Sequence, residues 1–128
     1  MTPFRIRDRL HSFRYAATGI CTMLVSQHNA WIHLGATVLV CAAGCALRVP
    51  RFGWCLLILA MMAVWTAEAL NTALEFLADA ATPQLHPLVK KAKDVAAGAV
   101  LISAVGAAIV GVLVFWPHVR PLLAGTME

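Results

Sequence analysis

The chain has 128 residues, of which 61% are hydrophobic and 12% charged, with a formal charge of +4 and a mean hydropathy of +0.79. That is one domain at most and too apolar for an ordinary water-soluble one, so an all-α integral membrane protein is expected. The ten Lys and Arg flank apolar runs and stripe no polar face, which argues against nucleic acid and for lipid headgroups as the anionic partner.

Residues 4–27 mix Arg5, Arg7, Asp8, Arg9 and Arg14 with Phe4, Leu10, Phe13, Ala17, Ile20 and Leu24 at helical spacing, which predicts an amphipathic helix lying on the membrane surface. No cleavable apolar core precedes it, so the N-terminus is expected to stay in the mature protein. Ala30 to Leu47 holds no Lys, Arg, Asp or Glu and reaches about 27 Å as a helix, nearly a hydrocarbon core, giving a first span over about 30–47. "RVPR" (Arg48 to Arg51) breaks it at Pro50, and Phe52 and Trp54 follow where an interfacial aromatic belt would lie. The second span, about 52–81, is uncharged from Gly53 to Ala67 and then runs on through "AEALNTALEFLADA" (residues 67–80). It is longer than a bilayer needs, so its far end should leave the lipid.

"TPQLHP" (Thr82 to Pro87) reads as a short loop, with Pro87 in the first turn of the next helix, where a missing N–H costs little. The third span, about 88–116, is most apolar from Val95 to Trp116, and Pro117 is expected to close it. Along it Ala92, Ala96, Ala99, Ser103, Ala107 and Gly111 form a smooth stripe that would let another helix approach closely. Cys21, Cys41, Cys45 and Cys55 show no C-x-x-C pairing, so neither a disulfide nor a zinc site is expected.

Basic residues set the orientation. Arg5, Arg7, Arg9 and Arg14 precede the first span and Lys90, Lys91 and Lys93 lie between the second and third, while Arg48, Arg51 and Arg120 fall on the other side. Seven against three places the N-terminus and the 82–93 loop in the cytoplasm and the C-terminus outside.

Three of the six acids, Glu68, Glu75 and Asp79, sit together in the second span with Asn71 among them. At about 100° per residue, Glu68 and Asp79 fall roughly 20° to either side of Glu75 and Asn71 about 60° away, so the four share one face over about 16 Å. A carboxylate at membrane depth must be paired, protonated or metal-bound. An ion-paired network with Lys90, Lys91, Lys93 or Arg14 is the plainer account; a cation-dependent site is the sharper one. Mg²⁺ needs only one or two carboxylates plus substrate phosphates, with Glu75 the central candidate, while a second acid stays free to take a proton from an attacking hydroxyl. Glu68, deeper in the span, would meet a lipid alcohol.

In "HPLVKKAKDVAAG", Lys93 and Asp94 enter the third span near a helix N-terminus that favours anions, so phosphate could dock there. No GxxxxGK[ST], GxGxxG or kinase HRD and DFG set is present, so any ATP site is unconventional. His28 and His33 have no metal-ligand partner at helical spacing and read as polar interface residues; His86 could contact a nucleotide or cap its loop.

"EALNTALEFLAD" with "HPLVKKAKDVAAGAVL" resembles the paired signature of the small bacterial diacylglycerol kinase family, which includes undecaprenol kinases. The likeness extends to "SFRYAATGI" (Ser12 to Ile20) and "NAWIHL" (Asn29 to Leu34). It implies an ATP-dependent lipid kinase of the bacterial inner membrane, with a surface helix and three transmembrane helices in a homotrimeric bundle, its sites shared between protomers. By motif match, Glu68 would be the general base, Glu75 a ligand of the Mg²⁺ that carries ATP, and Asn71 and Asp79 supporting polar residues. Lys93 and Asp94 match the nucleotide-binding pair, and Tyr15 and His86 resemble other ATP contacts. The lipid would be diacylglycerol, giving phosphatidic acid, with undecaprenol as the alternative.

Where the family commonly has a second metal-ligating Glu before "N-x-x-I-H", this chain has Gln27, whose amide oxygen can still ligate Mg²⁺ without the charge. Asp8 stands where some relatives have Arg, between Arg7 and Arg9. A rival of another class, a non-catalytic subunit or cation-conducting assembly, predicts acids spread through the bilayer; here they gather toward one end.

Overall fold

The structure is a computed structural model that describes residues 6–81 and 86–124, and the side chains of 11–81 and 86–121. Phe4, Arg5, the side chains of Arg7, Asp8, Arg9 and Leu10, and most of the expected 82–87 loop lie outside the described residues. Among the described residues four helices follow in order: α1 (Ile6–Ser26), α2 (His28–Ala46), α3 (Arg51–Ala81) and α4 (Pro87–Ala124). The last three are long and apolar enough to cross a membrane. α3 is the central element, packed most extensively against α4 and also touching α1 and α2.

Large apolar side chains such as Val38, Leu39, Leu59, Met62, Ile102 and Leu113 lie exposed, the reverse of a water-soluble protein. Such a surface suits hydrocarbon or other helices. Among the described residues the buried set is small: Met23, Ala30, Val49, Leu57, Val64, Ala96 and Val100, with Gly44, Gly53 and the polar Glu68, Asn71 and Thr72. Among the described side chains of α1 only Met23 is buried; Phe13 is 75% and Ile20 56% exposed, so most of the described part of the expected apolar stripe is uncovered by this chain.

One residue, Gln27, in extended conformation (φ −109, ψ 120), separates α1 from α2. Its N–H donates to Met23 O at 2.9 Å, while its side chain makes no cap bond and is left free to reach elsewhere. The turn from α2 to α3 is tighter than a proline break alone. Val49 N–H donates to Gly44 O (3.0 Å) and Arg48 N–H to Cys45 O (3.2 Å), the reciprocal pair that closes a Schellman end. Arg48 occupies the left-handed position at φ 52, where a side chain costs roughly 1–2 kcal/mol relative to ordinary helical backbone. Pro50 O then accepts from Trp54 N–H and starts α3.

The corner depends on two glycines. A Cβ on Gly44 would stand 2.8 Å from the Trp54 ring, and one on Gly53 would stand 2.5 Å from Val49 and 3.2 Å from Val114 of α4. Trp54 therefore lies over Gly44, while Phe52 is exposed.

One expectation about α4 is corrected. Pro117 does not close the helix, which continues through Pro117 and Pro121 to Ala124. A proline inside a helix costs about 3 kcal/mol. Ending at Trp116, at the edge of an apolar layer, would leave the last four carbonyls without partners, each costing several kcal/mol. The small-residue stripe is split. Ala96, Ser103, Ala107 and Gly111 lie toward the packed side, but Ala92 and Ala99 are exposed, and nothing stands within 4 Å of where a Gly111 Cβ would be. Part of the stripe is thus covered within the chain and part is left open.

Because the Trp54 ring cannot shrink away from a new methyl group, Gly44→Ala is expected to destabilise the protein by about 1–3 kcal/mol. Thermal unfolding in detergent, against Gly35→Ala where the added Cβ meets open space, checks this.

Candidate active site

The acidic face of α3 grades from buried to exposed along the helix. Glu68 is 0% exposed and Asn71 5%, Glu75 is half-buried, and the Asp79 side chain is 69% exposed. The row predicted from spacing exists, and its depth gradient follows from α3 being the packed centre at Glu68 and a projecting end at Asp79.

At the buried end, neither carboxylate oxygen of Glu68 has a hydrogen-bond partner. Across from it is His33 of α2, with Nε2 3.7 Å from Oε2 and itself without a hydrogen bond. Thr72 Oγ1 donates to Glu68 O at 2.8 Å, so that hydroxyl is spent on backbone and does not satisfy the carboxylate. An anion left unpaired in such surroundings costs several kcal/mol.

In the middle of the row, Glu75 is held from two sides. Gln27 Nε2 donates to Oε2 at 2.8 Å and Asn71 Nδ2 donates to Oε1 at 3.3 Å. Gln27 thus reaches Glu75 from the α1–α2 hinge across 48 positions of sequence. Asn71 Oδ1 is buried without a partner. Carboxylate, amide oxygens and phosphate are the hard oxygen donors that suit Mg²⁺. Among the described residues no group of three or more His, Cys, Asp or Glu could hold a metal, so an ion here would draw on the amides or on substrate.

At the exposed end, Lys93 Nζ of α4 donates to Asp79 Oδ1 at 2.9 Å. Lys93 and Asp94, adjacent in sequence, are not brought together: Asp94 accepts from Lys90 Nζ at 2.7 Å, one helical turn back. His86 caps α4, its Nδ1 accepting from Leu88 N–H at 3.2 Å in the place a serine or aspartate side chain often takes. Tyr15 is 72% exposed on α1 with His11 beside it, ring centroids 6.5 Å apart.

Sequence reasoning set His33 aside because it sought a partner on the same helix; the partner is on α3. Thr37 and Trp65 also went unread. Trp65 Nε1 donates to Thr37 Oγ1 at 3.1 Å, and Trp65 meets His33 edge-on with ring centroids 6.3 Å apart. One cue was available for His33: it is an ionisable residue within an otherwise uncharged span, which is a functional signal by default. Nothing in the one-dimensional pattern pairs Thr37 with Trp65.

A model of prokaryotic diacylglycerol kinase matches residues 14–115, an interval that includes every site residue named above except His11. The chain is similar to the undecaprenol kinase of Bacillus subtilis, 37% identical over 106 residues that cover 83% of this chain and 86% of that one. It is similar to the diacylglycerol kinase of Synechocystis sp., 41% identical over 115 residues, 89% of this chain and 66% of that one. With the diacylglycerol kinase of Escherichia coli it shares 35% identity over 83 residues, 65% of this chain and 68% of that one. The chain belongs to the prokaryotic diacylglycerol kinase family, the membrane-embedded lipid kinases whose resemblance its acidic helix first carried.

Proposed function

We propose that the protein transfers the γ-phosphoryl group of ATP to the hydroxyl of a membrane lipid. The observation that carries this is Glu68: a wholly buried, unpartnered carboxylate at the apolar end of a polar row whose other end is exposed beside Lys93. Diacylglycerol, giving phosphatidic acid, is the first reading. Undecaprenol is the second, favoured by one observation: the match spans 86% of the undecaprenol kinase against 66% and 68% of the two diacylglycerol kinases.

The lipid hydroxyl gives its proton to Glu68 as its oxygen forms a bond to the γ-phosphorus. The bond from that phosphorus to the β-phosphate oxygen breaks, and ADP leaves with the electron pair. Lys93 turns from Asp79 to the phosphates, where its charge offsets what develops on them. Asp94, Asp79, Tyr15 and His86 form the rest of the nucleotide end, and Asn71 steadies Glu75 between the two. Glu75, the Gln27 amide oxygen after its amide turns, and the orphaned Asn71 Oδ1 suit Mg²⁺. When bound, the ion neutralises phosphate charge.

The lipid chain lies in an apolar groove of about 520 Å³ between α2, α3 and α4, where His33 is the first α2 residue along the wall. A second groove, about 930 Å³, runs between α3 and α4 past Asn71, Ala92 and Ala99; in a homotrimer it seats a helix of a neighbouring protomer. The N-terminus and the 82–93 segment face the cytoplasm of a bacterial inner membrane, α1 lies on that surface with its exposed Phe13 and Ile20 in the headgroups, and the C-terminus is outside. The chain functions as one domain.

Two measurements test this reading. Glu68→Gln is expected to lower lipid-dependent ATP turnover in mixed micelles roughly 10²–10⁴-fold. Diacylglycerol and undecaprenol are assayed side by side, and equal, lipid-independent rates for wild type and variant would favour the non-catalytic subunit. Gln27→Glu places a second carboxylate against Glu75. It is expected to lower the Mg²⁺ concentration for half-maximal activity and to enlarge the rise in melting temperature that Mg²⁺ produces; an unchanged Mg²⁺ requirement removes Gln27 from the ligand set.

A further inference from the structure

We propose that His33 is the positioning residue for Glu68: with its proton on Nε2 it donates to Glu68 Oε2, holding that oxygen so that Oε1 faces the lipid hydroxyl. The inference rests on the kinase reading above and adds a residue from another helix to it.

Three observations converge. First, both groups are unsatisfied where satisfaction matters most: His33 Nε2 and both Glu68 oxygens are buried without a hydrogen bond, and Nε2 stands 3.7 Å from Oε2. A small rotation of the imidazole closes that gap to the roughly 2.8 Å of a charge-assisted bond. Polar contacts in ligand-free sites are commonly long and tighten around substrate.

Second, the register that sets them opposite each other is fixed by separate residues. Thr37 lies one turn beyond His33 on α2, and Trp65 lies one turn before Glu68 on α3; the Trp65 Nε1 to Thr37 Oγ1 bond of 3.1 Å ties the two helices at that level. The edge of the Trp65 ring then limits where the imidazole can go. Orientation of one functional group by the second nitrogen-bearing residue of a fixed pair is the usual way a carboxylate or imidazole is aimed.

Third, the His33 side chain is 14% exposed and that exposure opens onto the α2–α3–α4 groove, while Glu68 itself is sealed. His33 therefore stands where a lipid hydroxyl coming along the groove meets the carboxylate. Turning toward Oε2 both orients Glu68 and clears that approach.

The test uses the purified full chain in lipid–detergent micelles, with lipid and ATP each varied in turn while the other is saturating. His33→Ala is expected to lower kcat on the lipid roughly 10–100-fold with the KM for ATP within about twofold, since nothing at the Lys93 end is touched. His33→Gln, whose amide reaches the Nε2 position and can donate, should recover most of that loss. In a Glu68→Gln background, His33→Ala should cost nothing further, because its effect passes through the missing carboxylate. Should His33→Ala not fold, His33→Leu keeps the packing against Trp65 without a donor and must show the same loss. A wild-type kcat for His33→Ala or His33→Leu, a His33→Gln variant as slow as either, or an additive loss in the Glu68→Gln background each overturns the proposal. If instead Glu68→Gln alone leaves lipid phosphorylation intact, the kinase reading of Glu68 fails first, and the two failures are distinct.

Discussion

A carboxylate sealed among apolar helices without a partner is the constraint around which this molecule is arranged. Glu68 is 0% exposed, and both of its oxygens lack hydrogen bonds. Nothing in local helix preference calls for it: the residues around it, Ala67, Ala69 and Leu70, would make the same helix with any straight-chain side chain in its place. Packing holds it in spite of the cost. α3 passes through the centre of the chain's contacts, Val64 is buried one turn before, Asn71 and Thr72 are buried one turn after, and Thr37 with Trp65 keeps α2 at its side. Removing water from that point makes every later electrostatic contact there stronger, which is the reason to bear the desolvation.

The burial gradient along α3 gives one helix two solvents. At Glu68 the surroundings are hydrocarbon-like side chains and a groove into the α2–α3–α4 side; at Asp79 the side chain is mostly exposed beside a lysine. Glu75, half-buried and tethered by Gln27 and Asn71, is the joint between them. An alcohol that cannot leave the membrane and a polyphosphate that cannot enter it can meet along such a row, and the distance between its ends, about 16 Å of helix, matches the step from acyl region to headgroup.

Much of this was legible along the chain. The absence of charge from Ala30 to Leu47, Pro50 in "RVPR" and the 3.6-residue recurrence of Glu68, Glu75 and Asp79 are one-dimensional signals, and each reports a property of a single helix. What escaped concerns relations between helices. His33 and Glu68 are on different elements, and so are Thr37 and Trp65; periodicity tells which face a residue occupies but not which neighbour that face meets. Neighbours in sequence diverge by about 100° on a helix, and the partners of Lys93 and Asp94 differ accordingly: Lys93 meets Asp79 of α3 and Asp94 meets Lys90 of its own helix. Pro117 misled because the rule that proline ends helices is calibrated in water, where freed carbonyls find solvent.

The same geometry bears on how far the groove can tell one lipid from another. Apart from His33 and Thr37, the residues along the α2–α3–α4 groove are aliphatic, Met61 and Phe115, so it offers a chain contact area and almost no directional bonds. A pocket of that kind separates substrates by only about 1–3 kcal/mol per methylene-sized difference, and less where the wall can yield. Strong rejection of a wrong substrate comes from buried polar groups left unpaired, and on the proposed reading the polar groups here, Glu68 and His33, meet the one feature that diacylglycerol and undecaprenol share, a hydroxyl. Chemistry at this site therefore selects an alcohol at a given depth, and discrimination between lipids falls to shape: how two acyl chains or one branched chain fill the space that Ala36, Ala60 and Ala104 leave between the helices.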